Sequence, residues 1–310
     1  MIIRPERWRA VVAAIATPAL LRGRARAADA PPPGAAVPDA RLTAPLTPPA
    51  SGRIRVAFVI SADAEVVDVT GPWGVFEYVL LGADDDKPFQ LYTVAASKDP
   101  VRMSDGLIVV PNYAYADAPA PDVVVVPAMN TARLAASALD WLRAVQRTAS
   151  VTLSVCNGSF VLAQAGLLDG KAATTHHRSY GMLRATYPKV NVIRGLRYVE
   201  DGKIATSGGL TSGVDLALRV VERYYGRDVA KRTARFLEYQ GTGWMHPGSN
   251  APLAEKPRAT AERPICPVCE TQLTLKAALT AQHQGETYYF CSEFCKKHFL
   301  AEPQRFIDTR

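Results

Sequence analysis

The sequence predicts an α/β fold with a mostly parallel sheet flanked by helices, followed by a small cysteine-rich unit. Three observations carry this. Short runs of consecutive apolar residues alternate with stretches of helical period. The runs are apolar at successive rather than alternate positions, as strands buried on both faces require. Four of the five cysteines fall after residue 265, behind a stretch rich in Pro, Ala and charge.

The first strand is Val56-Ala57-Phe58-Val59-Ile60. Thr70-Gly71-Pro72 then opens a helix through about Leu81, with Thr70 as N-cap. Phe89 to Ala95 reads as a strand, and Asp122 to Pro127 (DVVVVP) as the central one. A helix is expected from Thr131 to Ala149, because Leu134, Ala138, Trp141, Leu142 and Val145 share one face. Val151 to Val155 is a further strand, and a helix starts directly after Cys156. Asn191 to Thr206 gives short strands around a Glu200-Asp201-Gly202 turn, and helices follow at 211–225 and 228–239.

Before this core, residues 1–27 hold six Arg and one Glu, which accounts for +5 of the formal charge of +7. The remaining balance is too small for a basic stripe, so the charge does not predict nucleic-acid binding. Arg4, Arg7 and Arg9 precede the apolar run Ala10 to Leu21, which is short for a bilayer span, and Ala25-Arg26-Ala27 offers small residues for cleavage. This pattern predicts a signal peptide over 1–27, a periplasmic or secreted protein, and no membrane span after processing. Seven prolines between Pro31 and Pro49 make 28–52 a Pro-rich linker. A domain is expected over 53–245, a second linker over 246–263, and the cysteine unit over 264–310.

Ser154-Val155-Cys156-Asn157-Gly158-Ser159 sits where a strand passes into a helix. A nucleophile elbow has this form: the turn is tight enough to demand small residues two before and two after the nucleophile. Ser154 and Gly158 meet that demand. A helix N-terminus favours a thiolate, and the Asn157 N–H is placed to stabilise an oxyanion. A cysteine merely buried at a strand end fits the local pattern equally well.

The segment VTLSVCNGSFVLAQAGLLDGKAATTHH, from Val151 to His177, resembles the cysteine elbow of the ThiJ/PfpI superfamily, a class I glutamine amidotransferase-like group. The resemblance is nearest the branch that holds isonitrile hydratase and the amidotransferase-like domains of some transcription activators. Asp68-Val69-Thr70-Gly71-Pro72, the VVVVP strand and Thr206 to Leu218 (TSGGLTSGVDLAL) agree with it, so it covers about 53–240. It implies a flavodoxin-like three-layer sandwich, a homodimer through the α/β domain, and no cofactor for that domain. It also implies catalytic roles for Cys156 as nucleophile and Asp68 as general acid, with His176 in the pocket. Asn157 stands where the hydratase branch usually has Thr. Ala128 and Met129 stand where the family usually has two glycines whose N–H groups help form the oxyanion hole. The implied activity is hydration or hydrolysis of a small carbon–nitrogen substrate.

In the tail, Cys266-Pro267-Val268-Cys269 is a C-x2-C knuckle and Cys291 to Cys295 a C-x3-C pair at a helix start, with 21 residues between the pairs. Four thiolates suit tetrahedral Zn²⁺ and also Cu(I). Two disulfides are the competing arrangement, which export would favour. The tract from Cys266 to Ile307 resembles the YHS module, a treble-clef-like domain related to heavy-metal sensing and trafficking units. In it Tyr288, Tyr289 and Phe290 match a hairpin strand, and Glu270 stands in place of the usual Gly. His283 and His298 are spare ligands nearby, with a solvated surface role the first expectation for each. The alternative to an enzyme is thus a Cu or Zn binding protein, or a redox-stress sensor, whose large domain is non-catalytic.

Overall fold

The computed structural model describes residues 44–82 and 87–307. The expected signal peptide and most of the expected first linker lie outside them. Seven strands form the main sheet: β1 (Ile54–Val59), β2 (Phe89–Ala95), β3 (Tyr113–Ala114), β4 (Val123–Val126), β5 (Val151–Ser154), β6 (Tyr198–Asp201) and β7 (Ile204–Ser207). Their order is β6-β7-β5-β4-β1-β2-β3. Only β6 is antiparallel, paired to β7 around the Asp201-Gly202 turn; the other pairings are parallel. All four residues of β4 are wholly buried, as its unbroken valines require.

The helices are α1 (Val66–Glu77), α2 (Ala136–Gln146), α3 (Gly158–Gln164), α4 (Tyr180–Thr186), α5 (Ser212–Tyr225) and α6 (Arg227–Phe236). One group packs α1 against α5 and α5 against α6, and α2 packs against α3. The architecture is the mostly parallel, helix-flanked sandwich that the sequence predicts.

Two helix boundaries differ from the expectation. Helix α1 starts at Val66, not Thr70, with Glu65 at its N-cap. Gly71-Pro72 reads as a helix start, yet Pro72 lies inside the helix. Burial of Val69, Pro72, Val75 and Phe76 outweighs the N–H that Pro72 lacks. Thr70 caps nothing; its hydroxyl donates back to the Val66 carbonyl at 2.9 Å. The helix expected over 131–149 is broken: a 3-10 turn at Thr131–Arg133, capped by Asn130, precedes α2.

The stretch after α6 is ordered against the domain. A 3-10 turn at Pro247–Leu253 buries Asn250, and the Arg197 N–H donates to the Pro247 carbonyl. The cysteine unit follows as a hairpin, β8 (Leu279–His283) with β9 (Glu286–Phe290), and helix α7 (Glu293–Ala301). Its own small core joins Val268, Phe290, Phe299 and Phe306 to Cys266, Cys269 and Cys295. Among the described residues, no helix is long and apolar enough to cross a membrane.

Candidate active site and metal centre

Cys156 occupies a sharp turn between β5 and α3, with φ at 56°. A side chain in that left-handed region costs about 1–2 kcal/mol, so the surroundings must enforce it. They do so from three sides. The Cys156 N–H donates to the Gly208 carbonyl at 3.0 Å. Thr175 Oγ1 donates to the Cys156 carbonyl at 3.0 Å. Gly158 lies so close to the end of β4 that a Cβ there would sit 2.2 Å from the Val126 carbonyl oxygen.

The loops after β1, β4, β5 and β7 gather at the carboxyl ends of the parallel strands, where open α/β sheets build their sites. Asp68, in the first turn of α1, is 0% exposed. Its Oδ2 accepts the Ala128 N–H at 2.9 Å, and its Oδ1 is buried with no hydrogen-bond partner. Burial pushes the Asp68 carboxyl up to about 7, although the Ala128 N–H pulls the other way and Glu65 adds a like charge. Burial, and then the charge of Asp68, push the Cys156 thiol up to about 12. The backbone N–H groups of Asn157 and Leu210 oppose that rise without cancelling it.

This corrects one expectation. The start of α3 does not by itself make Cys156 a thiolate, because a sulfur only 7% exposed loses more solvation than two N–H groups return. Asp68 is the main source of the charge that raises the thiol, with Glu65 adding to it.

In the tail, the four Sγ atoms of Cys266, Cys269, Cys291 and Cys295 lie within 4.8 Å of one another. The thiols are free. Cys269 Sγ and Cys291 Sγ are 3.3 Å apart, and Cys291 Sγ and Cys295 Sγ 3.5 Å. Four sulfurs on a tetrahedron of about 2.3 Å Zn–S bonds stand a little under 4 Å apart, so this donor set fits one thiophilic ion. Hydrogen bonds from Cys269 and Cys295 hold the Cys266 thiol well below the ordinary thiol range. Ser292 caps α7 by accepting the Cys295 N–H, which fixes the second pair at a helix start.

Comparison with known proteins agrees with this geometry. The DJ-1/PfpI family profile matches residues 54–223, and the YHS domain profile matches 265–310. The chain belongs to the DJ-1/PfpI family. Isonitrile hydratase of Pseudomonas putida is 32% identical over 231 residues, covering 73% of this chain and 96% of that protein. Protein DJ-1alpha of Drosophila melanogaster is 32% identical over 47% of this chain and 70% of its own. The HTH-type transcriptional regulator CdhR of Pseudomonas aeruginosa is 31% identical, but only 43% of it is matched. Among solved structures, a ThiJ/PfpI family protein from Pseudomonas syringae superimposes with a TM-score of 0.55 at 27% identity, covering 69% of this chain and 83% of that one.

Within this DJ-1/PfpI domain the structure brings Cys156, Asp68, Asn157 and Ala128 together. One residue stands differently from the sequence reading. The Ala128 N–H, expected to face an oxyanion, is engaged by Asp68. The His176 ring lies on Gly209, where a Cβ would meet it at 2.3 Å. Its Nδ1 accepts the Arg178 N–H, and its ring packs against His177. Met129 is buried, with its sulfur 3.3 Å from Ser61 Oγ. Sequence reasoning missed Leu210, whose N–H reaches the sulfur from a left-handed backbone at φ 48°. It also missed Glu65, whose charge acts on both Asp68 and Cys156. The run of Thr206 to Leu218 held the signal for Leu210: a bulky residue directly after Gly208-Gly209 in a loop that must turn.

Proposed function

We propose that the domain hydrates a small carbon–nitrogen substrate, an isocyanide in the first instance, by covalent catalysis at Cys156. The observation that supports this best is the Asp68–Cys156 pair, with the carboxyl near 7 and the thiol well above it. At a pH just above 7 the pair holds one proton, which rests on sulfur. In the proposed reaction Asp68 takes that proton and passes it to the isocyanide carbon, while the sulfur bonds to the same carbon. The product is a thioimidate on Cys156. Water then adds to its carbon, the C–S bond breaks, the proton returns to sulfur, and an N-substituted formamide leaves. The N–H groups of Asn157 and Leu210 face the sulfur and steady its charge as it forms.

In the same reading the protein is exported through residues 1–27 and works as a homodimer. The Cys266, Cys269, Cys291 and Cys295 module holds one Zn²⁺ or Cu(I). Four protein thiolates close such a site, so the ion supplies cohesion or serves as cargo, and hydration stays at Cys156. The test is turnover of an alkyl isocyanide to its formamide, followed by mass spectrometry, in wild type and Cys156→Ala. Loss of turnover in the variant is expected. Full turnover in Cys156→Ala would refute the mechanism.

The alternative, a metal-binding or redox-stress protein, draws on the four clustered thiols. It predicts tight stoichiometric metal together with a Cys156 that turns over nothing.

A further inference from the structure

The position after the second knuckle cysteine is unusual. Glu270 has φ at 62°, in the left-handed region where glycine is at ease and glutamate is not. Its side chain is nevertheless only 9% exposed. It reaches away from the cysteine module into the α/β domain. Oε1 pairs with Arg184 at 3.1 Å and Oε2 with Arg194 at 2.6 Å, and Lys256 stands 3.5 Å from Oε1. Arg184 belongs to α4, and Arg194 follows a short strand at Asn191–Val192.

The knuckle backbone seats on the same helix. A Cβ on Gly181 of α4 would lie 2.6 Å from the Cys269 carbonyl oxygen. Arg305 of the module donates to the Arg184 carbonyl at 2.9 Å. Ala185 of α4 completes the apolar cluster that holds Cys266, Cys269 and Cys295. The charges complement what the module would carry. A divalent ion on four thiolates bears a net −2. One carboxylate facing two arginines and a lysine leaves a surplus of +2 beside it.

We propose that α4 and its arginines form a docking surface for the loaded metal knuckle, latched by Glu270, so that metal retention and domain docking are thermodynamically coupled. The coupling is reciprocal: whatever the ion contributes to docking, docking returns to the ion's affinity. The carboxylate of this strained glutamate spans the two domains. This inference needs the four cysteines to hold a metal ion but is independent of any chemistry at Cys156.

The test uses the full chain with Zn²⁺ as probe. Zinc affinity is measured by competition with a chromophoric chelator in wild type and in Arg184→Gln/Arg194→Gln, neither of which touches a ligand. A loss of about tenfold in affinity is expected for the variant. Equal affinities would overturn the coupling. A second measurement guards against a variant that folds poorly. Glu270→Gln keeps the side chain's length and backbone and removes only the charge of the latch, so the zinc-loaded variant is compared with loaded wild type by proteolysis within 255–263. Faster cleavage in Glu270→Gln is expected, and an unchanged rate overturns the latch. If wild type binds no zinc at all, the premise of a metal knuckle fails, and the proposal with it.

Discussion

The Ala128 N–H donates to Asp68 Oδ2 at 2.9 Å, while Asp68 Oδ1 is buried and accepts nothing. A single donor does not replace the water that an ionised carboxylate loses on burial, so the proton stays on Asp68 to about pH 7. The loop after β4, where Ala128 and Met129 stand, thus donates directly to Asp68 and tempers the rise that burial causes.

The proposed chemistry follows that proton. The competent state holds one proton on the Asp68–Cys156 pair, so kcat/KM rises with pH through about 7 and then levels. Asp68→Asn removes the acceptor, and a fall of roughly 10²–10⁴-fold is expected together with loss of that rising limb. Steady-state rates between pH 5 and 9 check it. An unchanged pH profile in the variant would assign the limb to another group.

The same carboxyl makes stability depend on pH. Its folded value, about 7, lies above its ordinary 3.8. Between those values the folded protein binds more protons than the unfolded chain, so stability falls as pH rises. The contribution is complete below 3.8 and lost as pH passes 7. At about 1.4 kcal/mol per pH unit it amounts to no more than about 4 kcal/mol. Urea denaturation of Asp68→Asn should show a flatter pH dependence than wild type across this window, with the variant gaining on wild type as pH rises.

The elbow gives a sharper structural test. A Cβ on Gly158 would meet the Val126 carbonyl oxygen at 2.2 Å and the Pro127 carbonyl oxygen at 2.9 Å, and both are backbone atoms of the central strand and its exit. Neither can swing aside as a side chain would. Gly158→Ala is therefore expected to destabilise the fold by about 3 kcal/mol, read from the urea midpoint. A neutral Gly158→Ala would mean that the elbow is looser than its contacts indicate.

Cys156 and Gly158 were legible in the sequence because an elbow imposes local size limits that adjacent residues display. The strands were legible because full burial leaves only apolar residues. The start of α1 was not: Gly71-Pro72 looks like a helix opening, and only the tertiary burial of Val69, Val75 and Phe76 shows why the helix runs through it. Leu210 and Glu65 were hidden for a different reason. They act on Cys156 through a backbone N–H and through charge at a distance, and neither leaves a side-chain pattern. Glu270 stood out as a departure from the YHS pattern, but its partners Arg184 and Arg194 lie more than seventy residues away in the chain.

Metal removal should separate the two cores. Three of the four tail cysteines are buried in a small cluster beside Phe290 and Phe299, to which the α/β domain adds only Ala185 and the partly buried Met182, and Cys291 alone of the four is exposed. So few apolar side chains hold such a unit only weakly without a staple. An ion at a thousandfold excess over its Kd adds about 4 kcal/mol to whatever it binds. The main sheet and its helices have a separate, far larger cluster that contains no tail cysteine. Chelation is therefore expected to lower the unfolding of the module in a calorimetric scan while the transition of the α/β domain moves little. Under the same treatment, alkylation by a small maleimide should rise from few thiols to four in the tail. The sharpest alternative outcome is a chelator-indifferent tail that reacts only after reduction. That result would mean the four cysteines are paired as disulfides in the isolated protein, and the tetrahedral thiolate site would have to be abandoned.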